Sequence, residues 1–216
     1  TWVLERTEAQ GCGEGLLREV FEASDPQAQG NRRWVLFSAA YTPSREAVRQ
    51  LLEHRQLDSA EKERAEAERQ RFVELLCPLD EVGVPVVPSR GQAFALLPTG
   101  VEFPIGMHVQ ADWLLATNRE QIIEVTNSPW HQEICARIPV LLAVFLRWVS
   151  SLGEIPIERL PEVYGVLPDL AEARGEHGAW LHRREFVDAL RSQLERLRFL
   201  PVRGYHRVRF ISPDKG

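Results

Sequence analysis

The 216-residue chain has an ordinary globular composition, with 44% hydrophobic and 26% charged residues, which excludes a disordered, collagen-like or disulfide-scaffold protein. The formal net charge is −5, so no overall positive field indicates a nucleic-acid or anionic-membrane partner. Cys12, Cys77 and Cys135 are far apart, which predicts neither a disulfide framework nor a zinc site and agrees with a cytoplasmic location.

The N-terminal residues do not read as a natural start or as a signal peptide. Residues Thr1 to Arg6 contain no initiator Met and no basic or apolar segment, so we expect an excised piece of a longer protein. The most apolar stretch, Ile138 to Val149, falls short of the roughly 20 residues that span a bilayer. It is predicted to be a buried helix, and no membrane partner is expected.

The first 41 residues are predicted to form strand, helix and strand. Strand-forming residues occupy Trp2 to Arg6, and the apolar residues between Leu16 and Phe21 fall on one helical stripe. The segment Arg33 to Tyr41 is rich in strand formers and ends just before Pro43, which predicts a central strand.

A long helix is predicted from Ser44 to Leu76. Ser44 is a suitable N-cap, and apolar stripes occur near both ends of the segment, with a charged stretch between them. The charged stretch is interpreted as a solvated face, with a protruding arm that contacts a partner as the alternative. Pro78 is expected to end the helix.

Strands are predicted at 82–87, 92–97 and 105–115, with a turn at Pro98 to Gly100. In the last strand apolar residues alternate with His108, Gln110 and Asp112, so we expect one buried and one polar face. The polar face leads into a short predicted helix, capped at residue 117 or 118, that carries Arg119 near its start.

The last third is predicted to be mostly helical. The predicted helices span 130–149, 160–173 and 183–197, and a hairpin of 198–202 and 205–211 follows. The fold class is α+β: a mixed β-sheet covered by helices, then a helical C-terminal segment. The predicted division is a domain of residues 1–152 and a segment of residues 153–216.

Neither of two local patterns supports a self-contained site. The glycine-rich segment Gly11 to Gly15 lacks the GK[ST] ending of a P-loop, and Glu14 repels phosphate, so a turn is predicted. His108, Asp112 and His131 lack a metal-ligand spacing, so no metal is expected.

A basic stretch near the C-terminus offers weak candidates for nucleic-acid contact. Residues 183–209 contain eight arginines against three acidic residues, a local charge of +5. The candidates are Arg203, Tyr205, Arg207 and Arg209, because basic and aromatic side chains alternate there. Arginine is the main cation throughout this chain, so an exposed arginine-rich face is the simpler interpretation.

Several short segments share the pattern of one known family. They are 94–100 (FALLPTG), 103–104 (FP), 107–122 (MHVQADWLLATNREQI), 128–131 (SPWH) and, less closely, 197–204 (LRFLPVRG). Together they resemble the region that follows the ATP-binding domain in sacsin-like proteins of the GHKL ATPases, distant relatives of the ninety-kilodalton heat-shock chaperones. The family usually has Asn where this chain has His131.

The resemblance implies roles for particular residues. Arg119 matches the middle-domain arginine that reaches the γ-phosphate of ATP, and Asn118 beside it is implied to contact the nucleotide. Gln121 lies near the position of the glutamine that acts together with this arginine in the family. The strand face of His108, Gln110 and Asp112 is expected to line the interdomain cleft. Without the resemblance, a surface salt bridge with Glu120 or Glu124 is the simpler interpretation of Arg119.

The family's nucleotide pocket is absent from these 216 residues, which contain no E-x-x-x-N box, D-x-G-x-G loop or glycine lid. We therefore expect ATP and Mg²⁺ to bind an upstream domain, so that the chain is not an enzyme by itself but part of an ATP-hydrolysing, chaperone-like protein. Expected partners are that domain and a client or partner protein, and a homodimer is compatible. The alternatives are an interaction module without a nucleotide role and a nucleic-acid-contacting segment of a defence or repair ATPase.

Overall fold

The computed structural model describes residues 3–13, 15–24, 31–55, 70–103, 105–116, 121–122, 128–152, 155–168, 184–197, 200–203 and 208–211. The strands are β1 (Val3–Gly13), β2 (Leu16–Ser24), β3 (Asn31–Tyr41), β4 (Arg71–Leu79), β5 (Gly91–Ala95), β6 (Leu97–Phe103), β7 (His108–Ala111), β8 (Leu200–Arg203) and β9 (Val208–Ile211). The helices are α1 (Arg45–Arg55), α2 (Pro129–Ser151), α3 (Leu160–Tyr164) and α4 (Arg184–Glu195), with a 3₁₀ turn at Ile157–Arg159.

Seven strands form one mixed sheet in the order β1-β2-β3-β4-β7-β5-β6, and β8 and β9 form a separate antiparallel hairpin. Within the large sheet β5 and β7 are parallel and the other pairs are antiparallel. The predicted α+β class, with a mixed sheet, covering helices and a helical C-terminal part, is confirmed.

The core lies between one face of this sheet and α2. On β3 and β4, alternate residues are fully buried, among them Val35, Phe37, Val73 and Leu75, as expected for strands that present every second side chain to the core. The ring of Phe37 meets the ring of Phe145 edge to face, with centroids 5.7 Å apart. Helix α4 packs against α2.

Helix α2 begins with a complete cap. The hydroxyl of Ser128 accepts a hydrogen bond from the backbone N–H of His131 at 3.2 Å, and Pro129 occupies the first turn, where its missing N–H costs nothing. The helix runs through Pro139 to Ser151. Within the described part of the chain it is long and apolar enough to cross a membrane by length and composition, yet most of its residues are buried inside the protein, as predicted for a core helix.

Two predicted helices are wrong, one of them only in part. The apolar residues between Leu16 and Phe21 belong to β2, where Val20 lies opposite Val35 and is buried while its neighbours face the other side. The end of the predicted helix from Ser44 to Leu76 belongs to β4, which begins at Arg71 and continues through Pro78, whereas residues 45–55 are helical as predicted. The charged stretch interpreted as a solvated face or an arm lies mostly outside the described residues. Both segments are paired with a strand on each side, β2 with β1 and β3, and β4 with β3 and β7. This tertiary pairing outweighs the local helical pattern.

The region between β4 and β7 also differs in detail from the prediction. The turn between β5 and β6 is at Leu96, which has φ of 66°, and residues 98–100 belong to β6. Residues 82–87 form a loop in which Pro85 pairs with Leu79 through a single bridge. The strand predicted for 105–115 is limited to β7.

Other predicted elements are confirmed. These are the central strand β3, the N-cap at Ser44, whose hydroxyl accepts from the N–H of Ala47 at 3.2 Å, the helices α2 and α4, and the terminal hairpin. The turn predicted from Gly11 to Gly15 is only partly found, because β1 continues to Gly13. Leu160, Val163 and Phe186 belong to the same buried cluster as α2. The domain division after residue 152 stays a prediction.

Candidate functional site

The chain leaving β7 is fastened to the start of α2. The indole Nε1 of Trp130 donates to the carbonyl oxygen of Asp112 at 2.6 Å, and the backbone N–H of Leu114 donates to Nε2 of His131 at 3.0 Å. Trp130 and His131 are fully buried. We call this contact between residues 112–114 and the first turn of α2 the junction.

Helix α1 is tied to the same place. The amide oxygen of Gln50 accepts from the hydroxyl of Ser128 at 2.7 Å and from the N–H of Trp130 at 3.2 Å. Both carboxylate oxygens of Glu133 accept from the N–H of Ser44 at 3.1 Å. These bonds satisfy backbone donors at the starts of both helices, so the junction is held from two directions.

Beyond the junction the described residues on either side of segment 117–120 are joined. The N–H of Ala116 donates to the carbonyl oxygen of Gln121 at 2.9 Å, and Leu115 forms an antiparallel bridge with Ile122. Gln121 is exposed. The candidates Asn118 and Arg119 lie outside the described residues, as does the start of the short helix predicted to carry Arg119.

His108 lies on β7 as predicted, on the polar side of the strand and half-buried. Its Nδ1 accepts from the backbone N–H of Gln92 at 3.2 Å, and its ring contacts Phe94 edge to face at 5.7 Å and Trp34 at 5.9 Å. Burial lowers the pKa of His108 below its ordinary value, because an apolar environment disfavours the imidazolium. The residue is thus neutral at physiological pH and fixed between aromatic rings.

Gln110 and Asp112 have different surroundings from each other. The side-chain oxygen of Gln110 accepts from the N–H of Leu96 at 3.3 Å and so holds the turn between β5 and β6. The carboxylate of Asp112 lies 3.7 Å from a guanidinium nitrogen of Arg71, and that guanidinium lies 5.7 Å from the centre of the Trp130 ring. His108 and Gln110 share one sheet face, whereas Asp112 belongs to the junction.

The nucleic-acid candidates are only partly within the described residues. Arg203 ends β8, opposite Val208, and Arg209 lies on β9, opposite Val202. Tyr205 and Arg207 lie outside the described residues. The nucleic-acid interpretation stays a prediction.

A polar residue that the sequence interpretation missed lies in the middle of the sheet. Glu74 of β4 lies between Ser38 of β3 and Gln110 of β7 in the strand register. Burial raises the pKa of the Glu74 carboxyl, and the negative charge of Glu19 raises it further. The alternation of Val73, Leu75 and Cys77 was the available sign that Glu74 faces away from the core.

Among the described residues no three His, Cys, Asp or Glu side chains are grouped so that they could hold a metal ion. No family model matches the chain, and neither a curated protein nor a solved structure matches it.

Proposed function

We propose that this chain is the transducer part of a sacsin-like, chaperone-type ATPase, in which Arg119 contacts the γ-phosphate of ATP held by an upstream domain. The observation that carries the proposal is the closure between Ala116 and Gln121 beside the junction. A residue that acts across a domain boundary needs a well-positioned backbone, and the two residues that flank segment 117–120, Ala116 and Gln121, are hydrogen-bonded to each other.

In this proposal the chain supplies the positive charge of Arg119 and holds it in position at the γ-phosphate. An arginine keeps its positive charge at all physiological pH values and can donate two parallel hydrogen bonds to phosphate oxygens. During phosphoryl transfer, negative charge spreads over the γ-phosphoryl oxygens, and a guanidinium placed there stabilises the transition state more than the ground state. Gln121 and Asn118 flank this position in sequence and are proposed to orient the same phosphate.

Domain closure then couples the nucleotide state to the arrangement of the two domains. Mg²⁺ and ATP bind upstream, and Arg119 reaches the phosphate only when the two domains approach each other. Hydrolysis removes the group that the arginine contacts, so the closed arrangement loses part of its stabilisation. His108 and Gln110, on the face of the strand that leads to the junction, are proposed to line the cleft.

The test is ATP turnover by the full-length protein with Arg119→Ala. We expect a loss of about 100-fold or more in kcat with ATP affinity nearly unchanged, as for removal of one charged transition-state contact. Arg90→Ala is the matched control, because Arg90 is an exposed arginine paired with Glu102 at 3.0 Å on the sheet edge. Unchanged turnover in Arg119→Ala would contradict the proposal, as would tight ATP binding by this 216-residue chain alone.

A protein-interaction module is the second candidate function. The observation that favours it is the second face of the large sheet, where Phe72 is 51% exposed and Trp34, Leu36 and Leu76 are partly exposed. An apolar surface of this kind typically marks an interaction site. This candidate needs neither ATP nor Arg119, so the turnover test distinguishes the two.

A further inference from the structure

The sheet has a second face, opposite α2, which we call the open face. On it the strand register aligns two rows of side chains: Leu17, Ser38, Glu74 and Gln110 in one, and Glu19, Leu36, Leu76 and His108 in the other. Apart from Ser38, these side chains are neither fully buried nor fully exposed. The open face is therefore a mixed surface, in which the leucines at 17, 36 and 76 lie beside polar and charged side chains.

Glu74 is the central charge of the open face. Its carboxylate has no ion pair with any described cation, whereas Glu19 on the same face is paired with Arg6 at 2.7 Å. The side chains directly beside Glu74 across the strands are those of Ser38 and Gln110, which are neutral. A half-buried carboxylate without a cation is costly to keep in a folded protein.

Beyond its two polar neighbours across the strands, Glu74 also has apolar side chains near it. Leu36 and Leu76 lie diagonally beside it in the register, the exposed ring of Phe72 lies on the same face of β4, and Trp34 and Phe94 flank His108 further along. A charge surrounded by apolar side chains interacts strongly with an opposite charge once water is excluded. Among the described residues, the open face thus combines apolar side chains with a carboxylate, that of Glu74, which has no ion pair.

We propose that the open face binds a protein segment that presents an arginine or lysine flanked by apolar side chains, with the cation placed on Glu74. Charge complementarity selects the cation, and the apolar side chains of Leu36, Phe72 and Leu76 select its neighbours. A nucleic acid does not meet this description, because its phosphates are repelled by Glu74 and Glu19. The inference rests on the interaction-module function proposed for this face and needs neither Arg119 nor ATP.

The experiment uses peptides displayed on phage and selected on the immobilised 216-residue chain. We expect selected sequences to share one basic residue between apolar residues. The tightest peptide, made synthetically and labelled, is then titrated by fluorescence anisotropy against the wild-type chain and Glu74→Gln. We expect at least about a 10-fold weaker Kd for the variant, since one half-buried charge pair is lost.

Glu102→Gln is the matched control, because Glu102 is exposed on the edge strand β6 and paired with Arg90. Its Kd should equal that of the wild type. Peptides without a basic residue, a Kd that is the same in Glu74→Gln, or the absence of any selected peptide would each overturn the proposal.

A charge exchange distinguishes direct pairing from an indirect effect on the fold. Glu74→Arg should bind the peptide with its basic residue changed to glutamate more tightly than it binds the original peptide. Far-ultraviolet circular dichroism checks that both variants of Glu74 are folded. Equal binding of the two peptides by folded Glu74→Arg would show that the cation does not lie on Glu74.

Discussion

The N–H of Leu114 and the Nε2 atom of His131 form a buried hydrogen bond of 3.0 Å between the segment after β7 and the first turn of α2. His131→Ala leaves this donor without its partner. We expect a loss of about 1–3 kcal/mol in the free energy of unfolding, the cost of an unsatisfied buried polar group. Urea denaturation measures it. Glutamine places an acceptor near the same position, so His131→Gln should be destabilised less than His131→Ala. Equal stability of the wild type and both variants would contradict this role.

Two glycines are required by close packing of the backbone. A Cβ atom at Gly91 would lie 1.7 Å from the carbonyl oxygen of Met107, and one at Gly106 would lie 2.8 Å from the carbonyl oxygens of Gly165 and Pro88. Backbone atoms cannot move aside as a flexible side chain can, so alanine at either position should cost about 3 kcal/mol or more. Gly11→Ala is the control, since no atom lies within 4 Å of the added Cβ. Thermal unfolding of the three variants gives the comparison.

The thiol of Cys77 should be inert in the folded protein. Burial raises its pKa to about 12, and a backbone hydrogen bond with Val86 only partly offsets this, so the reactive thiolate is scarce at neutral pH. Cys135 is also buried, whereas Cys12 is partly exposed. Titration with Ellman's reagent at pH 8 should modify one thiol rapidly and the others only in urea. Rapid reaction that persists in Cys12→Ser would disprove the assignment.

The turn after β4 should make stability depend on pH. Burial alone raises the pKa of Asp80, but the bonds from Arg159 and from the N–H groups of Val84 and Val82 outweigh it, and the pKa is lowered. An acid whose pKa is lower in the folded state stabilises the fold above its unfolded pKa of about 3.9. This contribution disappears as the pH falls through the folded-state pKa.

Asp80→Asn should therefore lower the urea midpoint at pH 7 and flatten its change between about pH 4 and pH 2. The control is Glu102→Gln, which removes an exposed ion pair with Arg90 and should change the midpoint little. An Asp80→Asn curve parallel to that of the wild type at acid pH would rule out the linkage.

Glu74 predicts the opposite dependence. Because burial and Glu19 raise its pKa, the folded state binds a proton more tightly than the unfolded state. Stability from this group is therefore present below the unfolded pKa of about 4.3 and declines as the pH rises through the folded-state pKa. Glu74→Gln should be more stable than the wild type at pH 7 and similar to it at pH 3.5. Urea midpoints at the two pH values measure the difference.

The sequence was sufficient to predict the secondary structure of the elements that have one clear hydrophobic periodicity. The alternation in β7 predicted the shared face of His108 and Gln110, and the apolar run of α2 predicted a buried helix. In β4 the apolar residues at 72, 75 and 76 fit helical spacing, while those at 73, 75 and 77 fit a strand. Tertiary pairing decided between these two patterns, and a local pattern does not contain that information.

In the candidate site, too, some residues could be found from a local pattern and others only from the tertiary structure. His108 and Gln110 could be found from one strand alone, whereas Glu74 acquires its neighbours from the register of β3, β4 and β7 together. Asp112 was predicted within a strand of residues 105–115 but lies just after β7, and its partner Arg71 was not found because the two residues are distant in sequence. Register across several strands depends on the whole sheet.

Both outer strands of the large sheet carry interruptions. Pro98 gives β6 a position without an N–H donor, and β1 has register shifts between Arg6 and Glu8 and between Gly11 and Gly13. An uninterrupted outer strand can recruit a strand from another molecule and so begin aggregation, which these features oppose. Copies of this chain at high concentration should therefore resist stacking side by side into fibrils, and a binding partner has to approach the broad side of the sheet rather than extend it.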